Sequence, residues 1–291
     1  MAQTLACLTQ LDVPDGLSFE VVLVDNCPRQ SAKPVAEAFT ARLPLTYVAE
    51  PRLGLSIARN RALEASRGDL VVWTDDDVLV PSGWLRAYHA GAQAYPDAPC
   101  FGGSIQPVLQ GTPPRWLVEG LAVVGGAYAQ RDQLAEGAVL AGPDLPYGAN
   151  FAIRRAAAAG LRFDEALGWR GTGGVIGEET VFLKELVRRH GPGRWLQGTA
   201  VQHVIPPSRQ SWTYLRNYYR KVGRFHRADP DVANSAQLWG RPRFAYRSAA
   251  RRGLRMLLRR WSQPPAVWLE DWKVFWITMG LLSRTPPPGG T

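Results

Sequence analysis

The amino-acid sequence predicts an α/β domain, a mainly parallel sheet flanked by helices, with a C-terminal helical extension. Three observations predict it. Short β-branched runs alternate with amphipathic segments through residue 93, the rhythm of βαβ units whose sheet is covered on both faces. At 291 residues and 46% hydrophobic content, the chain is long enough to bury one large core of this kind. The composition then changes: from Arg209 onward there are sixteen Lys/Arg against four Asp/Glu, so the overall charge of +9 leaves residues 1–208 at −3. The basic character belongs to the tail, and a partner that needs positive charge would meet that quarter.

The elements follow in order. Residues 4–11, TLACLTQL, carry apolar residues at helical spacing, and FEVVLVDN (19–26) is a buried strand closing on polar residues. SAKPVAEAFTARL is helical, LTYVAE a strand, and SIARNRALEAS a helix that Ser56 can cap; DLVVWT is the next strand. CFGGSIQPVL reads as one strand, followed by a Gly/Pro-rich region of mixed character to about residue 150. EETVFLKELVRRHG (178–191) is a helix, with two glutamates at its positive end, Arg188, Arg189 and His190 at its negative end, and Gly191 as its stop. WTYLRNYYRKVGRF is a second amphipathic helix.

Cys7, Cys27 and Cys100 are odd in number and lack metal-ligand spacing, so free thiols in a reducing compartment are expected. No basic-then-apolar leader opens the sequence and no run of 18 uncharged apolar residues occurs, so the expected location is cytoplasmic, at most the inner face of the plasma membrane. Zinc, helix-turn-helix and RNA-recognition signatures are missing, which argues against nucleic acid as a partner despite a pI near 9.8.

VVWTDDDVLVP (71–81) sets three carboxylates at the end of an apolar strand. Ligands of parallel α/β sheets bind beyond the carboxyl ends of strands, and a second acidic end, Asp25 with Asn26, lies after VVLV. Alternate carboxylates there can share one hard cation, and Mg²⁺ takes only one or two from protein, the rest coming from water and phosphate oxygens. That chemistry suits a nucleoside diphosphate. The competing reading is a solvated acidic loop.

The sequence resembles a known family. VVLVDN, EPRLGLSIARNRALEASRGDLVVWTDDDVLVPSGWL, PYGANFAIRR, FDEALGWRGTGGVIGEETVFLKEL and VQHVIPPSRQSWTYLRNYYRKVGRF occur in the order and spacing of a family 2 glycosyltransferase of the nucleotide-diphospho-sugar (GT-A) fold. The resemblance implies a Rossmann-like catalytic domain over residues 1–225; by composition, a basic, Trp-rich helical extension over 226–284 and a disordered Pro/Gly tail over 285–291 follow it. The resemblance further implies Asp25 at the nucleobase with Asn26 beside it, Arg59 by the nucleotide, and Asp75 toward ribose and sugar. Asp76 and Asp77 would hold the metal, although three aspartates in register leave open which two are ligands. Glu178-Glu179 stand where the family carries its acidic catalytic pair, with Glu179 favoured as base. His203 matches a histidine that reaches metal or diphosphate, Arg209 would hold the leaving group, and Gly148, Asn150 and Trp169 lie on the acceptor side. The family's first strand has no counterpart, because this chain opens inside what would be the following helix; either that strand lies upstream or the sheet lacks it.

The implied activity is a metal-dependent, inverting transfer of sugar from a nucleotide-diphospho-sugar donor to a saccharide or lipid-linked acceptor, in polysaccharide or glycolipid biosynthesis, with Mg²⁺ or Mn²⁺. A neutral imidazole beside carboxylates is compatible with Mn²⁺ as well as Mg²⁺. Two alternatives stand beside it: an Mg²⁺-dependent phosphohydrolase with Asp75 as nucleophile, whose usual motif is departed from at Leu79, and a nucleic-acid-binding protein. In the tail, Leu254, Leu257 and Leu258 recur at helical intervals among arginines, and Trp268, Trp272 and Trp276 stand four apart. A Trp stripe with cationic flanks predicts peripheral contact with an anionic membrane, or else a stripe packed onto protein with the arginines in water.

Overall fold

The computed structural model describes residues 1–170 and 173–283; the expected disordered tail, 285–291, lies outside the described residues. In chain order the elements are α1 (Ala2–Leu8), β1 (Val21–Asp25), α2 (Lys33–Glu37), β2 (Leu45–Ala49), α3 (Leu55–Ala65), β3 (Leu70–Thr74), β4 (Val78–Leu79) and α4 (Trp84–Ala94). Then come β5 (Cys100–Gly102), β6 (Ile105–Leu109), α5 (Arg115–Val124), β7 (Val139–Leu140), β8 (Asn150–Arg154), β9 (Gly168–Arg170), β10 (Gly173–Val175), α6 (Glu178–His190), β11 (Gly193–Trp195) and β12 (Val201–Ile205). The chain divides into two compact units, and the division is discontinuous. Of the described residues, those within Met1–Val108, Ala129–Gly173 and Gly177–Val204 make the first; those within Leu109–Tyr128 and Gly174–Ile176 and from Ile205 to 283 make the second.

In the first unit β1 and β2 pair in parallel, Val21 opposite Leu45 through Asp25 opposite Ala49. A five-stranded sheet runs β3-β8-β5-β11-β7 and a three-stranded one β4-β12-β6. Pairing in the larger sheet is mixed: β5 and β11 are parallel, whereas β8 runs antiparallel to both β3 and β5. Alternation along the strands sends side chains to two cores. Val71 and Trp73 of β3 and Phe151 and Ile153 of β8 join Phe163 and the Phe182, Leu183 and Leu186 face of α6. Leu70, Val72 and Ala152 point the other way, toward Leu5 and Leu8 of α1 and Trp84 and Tyr88 of α4.

Two local expectations are corrected. Residues 100–109 form two strands, because the chain breaks at Gly103, where any Cβ would collide with Thr199 and Asn150. Ser56 does not cap α3, whose N-cap is Gly54; its hydroxyl donates to the Leu167 carbonyl at 2.8 Å.

The second unit is helical. α7 (Trp212–His226) starts where Ser211 Oγ accepts from the Tyr214 N–H. A short α8 (Pro230–Ala233) and the pair β13 (Gln237–Leu238) and β14 (Arg241–Pro242) lead to α9 (Arg243–Arg259) and α10 (Pro265–Leu281). Its core gathers Leu117 and Val124 of α5, Leu215 and Tyr219 of α7, and Trp268, Leu269 and Trp272 of α10. Gly223 and Gly280 let α7 and α10 meet backbone to backbone, since a Cβ on either would strike the other helix. The Trp stripe is therefore core: Trp268 and Trp272 are buried, and Trp276 packs beside them under the Arg216 guanidinium. Among the described residues no helix is long and apolar enough to cross a membrane.

Candidate active site

The site grows from α3. Asn60 grips the Phe163 backbone with both ends of its amide, donating to the carbonyl at 2.9 Å and accepting from the N–H at 2.8 Å. With Ser56 on Leu167, this pins α3 to the segment before β9. Arg59, on the same helix, is thereby held almost wholly buried, its guanidinium 5.7 Å from the Phe163 ring centroid. Gly148 leaves it room, because a side chain there would overlap the guanidinium.

A buried cation demands anions. Arg59 has three: Glu178 Oε1 at 2.5 Å, Glu179 Oε2 at 3.9 Å and Asp75 Oδ1 at 3.9 Å. Two come from the first turn of α6 and one from the end of β3, so a single guanidinium ties together residues more than a hundred positions apart. α6 begins at Gly177, whose φ of +103° is a conformation that glycine adopts without strain.

The two glutamates differ in their commitments. Glu178 is buried in its short bond to Arg59. Glu179 is also enclosed but stands further from the guanidinium. Burial, reinforced by the Glu178 charge and only partly opposed by Arg59, pushes its carboxyl up to about 8. Burial also raises Asp75, with Arg59 pulling the other way.

The three aspartates separate. Asp75 turns to Arg59. Asp76 is exposed, and its carbonyl accepts from Thr4 Oγ1 at 2.7 Å. Asp77 lies under β12, which pairs antiparallel with β4 so that His203 stands opposite Val78. The buried His203 Nε2 is 3.3 Å from Asp77 Oδ1. Among the described residues no three His, Cys, Asp or Glu are grouped to hold a metal by themselves. Asp77 and His203 fit an ion that takes two ligands from protein and the rest from diphosphate and water.

The remaining predicted residues are more scattered. Asp25 is buried and its oxygens accept from the Cys27 and Ala32 N–H groups, both at 2.9 Å, and from Tyr47 Oη at 3.0 Å, so it shapes the loop after β1 in which the half-buried Asn26 lies. Asn150 is fully buried: it accepts from Trp84 Nε1 and Tyr88 Oη and donates to the Ser104 and Thr199 carbonyls. Its amide is spent inside the fold and is not offered to an acceptor. Trp169 is 54% exposed. Arg209 belongs to the second unit, in a 3₁₀ turn over Pro207–Arg209 whose last carbonyl accepts from Tyr128 Oη at 3.1 Å. The ion pair between Arg59 and Glu178 and the room that Gly148 leaves for the guanidinium have no local pattern in the sequence. An arginine in the buried stripe of a helix was the available signal.

Comparisons with known proteins identify the family and the fold. Residues 1–156, more than half of the chain, match the family model described as glycosyl transferase family 2. The succinoglycan biosynthesis protein ExoM of Rhizobium meliloti is 29% identical over 230 residues, which cover 78% of this chain and 70% of that protein. An uncharacterized glycosyltransferase of Bacillus subtilis, YfnE, is 38% identical over 63 residues, only 16% of its length. The crystal structure of S. aureus TarS 1-349 aligns with 94% of this chain and 86% of its own, at a TM-score of 0.51 and 16% identity, a likeness of fold. The fold is GT-A, and the chain belongs to glycosyl transferase family 2.

Proposed function

We propose that this glycosyltransferase moves a sugar from a nucleotide-diphospho-sugar to a saccharide or lipid-linked acceptor with inversion at the anomeric carbon, in the making of a polysaccharide or glycolipid. The observation that carries the reading is the buried Arg59 with Asp75 on one side and the Glu178-Glu179 pair on the other. The succinoglycan relative supports the polysaccharide class. Membership of the family decides against a phosphohydrolase built on Asp75.

In this reading Glu179 takes the proton of the acceptor hydroxyl, because Glu178 is already bound to Arg59 and a carboxyl raised toward neutrality is the better base. The acceptor oxygen attacks the anomeric carbon from the side opposite the diphosphate, and the sugar inverts. Asp75 orients the donor sugar and ribose. Asp77 and His203 are the proposed protein ligands of an Mg²⁺ or Mn²⁺ ion, with the exposed Asp76 open to the same ion. Such an ion, when bound, neutralises charge developing on the leaving diphosphate. Asp25 shapes the nucleobase side with Asn26, and the exposed ring of Trp169 offers a surface on which an acceptor sugar can stack.

A mass-spectrometric screen of nucleotide-sugar donors with Mn²⁺, repeated on Asp77→Asn, tests the reading. Donor turnover by the wild type and a loss of roughly a hundredfold in the variant are expected. Turnover unchanged in Asp77→Asn would overturn the assignment of this aspartate.

A further inference from the structure

We infer that the exposed face of α9 seats the chain on the surface of an anionic lipid bilayer. The inference does not depend on the reaction proposed above. It replaces the Trp stripe, which is buried, with a different surface.

At about 100° per residue, Arg243, Arg247, Arg251, Leu254, Leu257, Leu258 and Trp261 fall on one side of the helix and its immediate continuation. The structure leaves that side open: Leu254, Leu257, Leu258 and Trp261 are 59, 56, 67 and 83% exposed, and Arg243, Arg247 and Arg251 are exposed with them. The face is divided along its length, with cations on the first half and large apolar groups on the second. Arg260 lies over the Trp261 ring, 5.1 Å from its centroid, so the apolar end carries its own cation. The opposite side is occupied. Arg252, Arg255 and Arg259 converge on the buried Asp271 of α10, which fixes the orientation of α9.

Four large apolar groups in water need a cover, and the chemistry around them selects one. A single apolar anchor holds a protein to a membrane only marginally, and stable attachment takes a second, electrostatic signal. Both are present here on one face. Arginines at the level of lipid phosphates and a tryptophan at the interface match the charge order of an anionic leaflet. A second copy laid in parallel on this face would bring the same cations against these and be repelled, and one meeting it through the apolar half alone would leave the arginines without a partner.

The test is flotation of the full chain with vesicles of phosphatidylcholine alone and of phosphatidylcholine mixed with phosphatidylglycerol. The wild type should float with the anionic vesicles and not with the neutral ones. Two variants attack the two halves of the face: L254S/L257S/L258S/W261S, and R243E/R247E/R251E. All these side chains are exposed, so circular dichroism should match the wild type. The arginine variant should lose at least roughly a hundredfold in partitioning, since each of the three lost cations contributes about fivefold near such a surface and the new carboxylates are repelled by it. The apolar variant should lose about tenfold or more, while V118S, exposed on α5, floats normally. Equal recovery with neutral and anionic vesicles, or variants that float as the wild type does, would overturn the inference. So would a wild-type dimer in sedimentation equilibrium that the apolar variant converts to monomer without any vesicle binding.

Discussion

Each unit contains a buried charge cluster made from the same side chains in inverted proportion. In the first, one guanidinium, Arg59, faces the carboxylates of Glu178, Glu179 and Asp75; in the second, one carboxylate, Asp271, faces Arg252, Arg255 and Arg259. The clusters dispose of their surplus differently. The three arginines around Asp271 are 25, 40 and 38% exposed, so water screens their excess charge. Around Arg59 only Asp75, 37% exposed, reaches water; the two glutamates are 6 and 17% exposed, and the surplus between them is met inside the protein by the proton that Glu179 retains. A surplus released to solvent is a fastening. A surplus retained in the protein perturbs proton affinities, which is the condition that acid–base chemistry uses.

Breaking the enclosed cluster should cost most. Arg59→Met leaves Glu178 as a buried carboxylate without its cation, and about 3–5 kcal/mol of unfolding free energy should be lost in urea titration. A loss under ~1 kcal/mol would mean the cluster is no tighter than a surface pair. Asp271→Asn keeps volume and hydrogen-bonding atoms and leaves arginines that can turn to water, so about 1–3 kcal/mol is expected from the same titration. If this variant proved the more damaging one, the comparison would be inverted.

The pH dependence sharpens the contrast. Because the Glu179 carboxyl is raised in the folded chain, the native state holds that proton more tightly than the unfolded chain does. Its contribution to stability is full below the ordinary glutamate range and is lost as pH rises from there toward about 8. Activity should move the opposite way, rising over the same window as the base is freed. Melting temperatures and initial rates measured across that range should therefore run in opposite directions, and the decline in stability should flatten in Glu179→Gln. A decline unchanged in that variant would remove Glu179 as its source.

The sequence made the strands and the acidic strand ends legible because each is a local pattern. VVLV and LVVW announce strands by their own side chains, although VVLV is only half-buried in the fold, and the run Asp75 to Asp77 stands out as charge where a strand stops. Other features depend on partners far along the chain. Glu178 meets Arg59 across 119 positions, and Gly148 matters only because a guanidinium passes over it. Asn150 lies within a matching family segment, yet its amide is consumed by Trp84, Tyr88, Ser104 and Thr199, which no local pattern encodes. The tail shows the same limit. Leu254, Leu257 and Leu258 on α9 and Trp268 and Trp272 on α10 are both apolar stripes at helical spacing, and only packing decides that the tryptophans are covered and the leucines are not.

The central claim is that the two adjacent glutamates divide their work, with Glu178 holding Arg59 and Glu179 accepting the acceptor's proton. Single-turnover rates of Glu179→Gln and Glu178→Gln, measured on donor-saturated protein alongside their urea stability, test it most directly. The account predicts that Glu179→Gln keeps its fold and its donor affinity while transfer slows by about 10²–10⁴-fold, and that Glu178→Gln loses stability first. Glu179→Gln transferring sugar at the wild-type rate would contradict it.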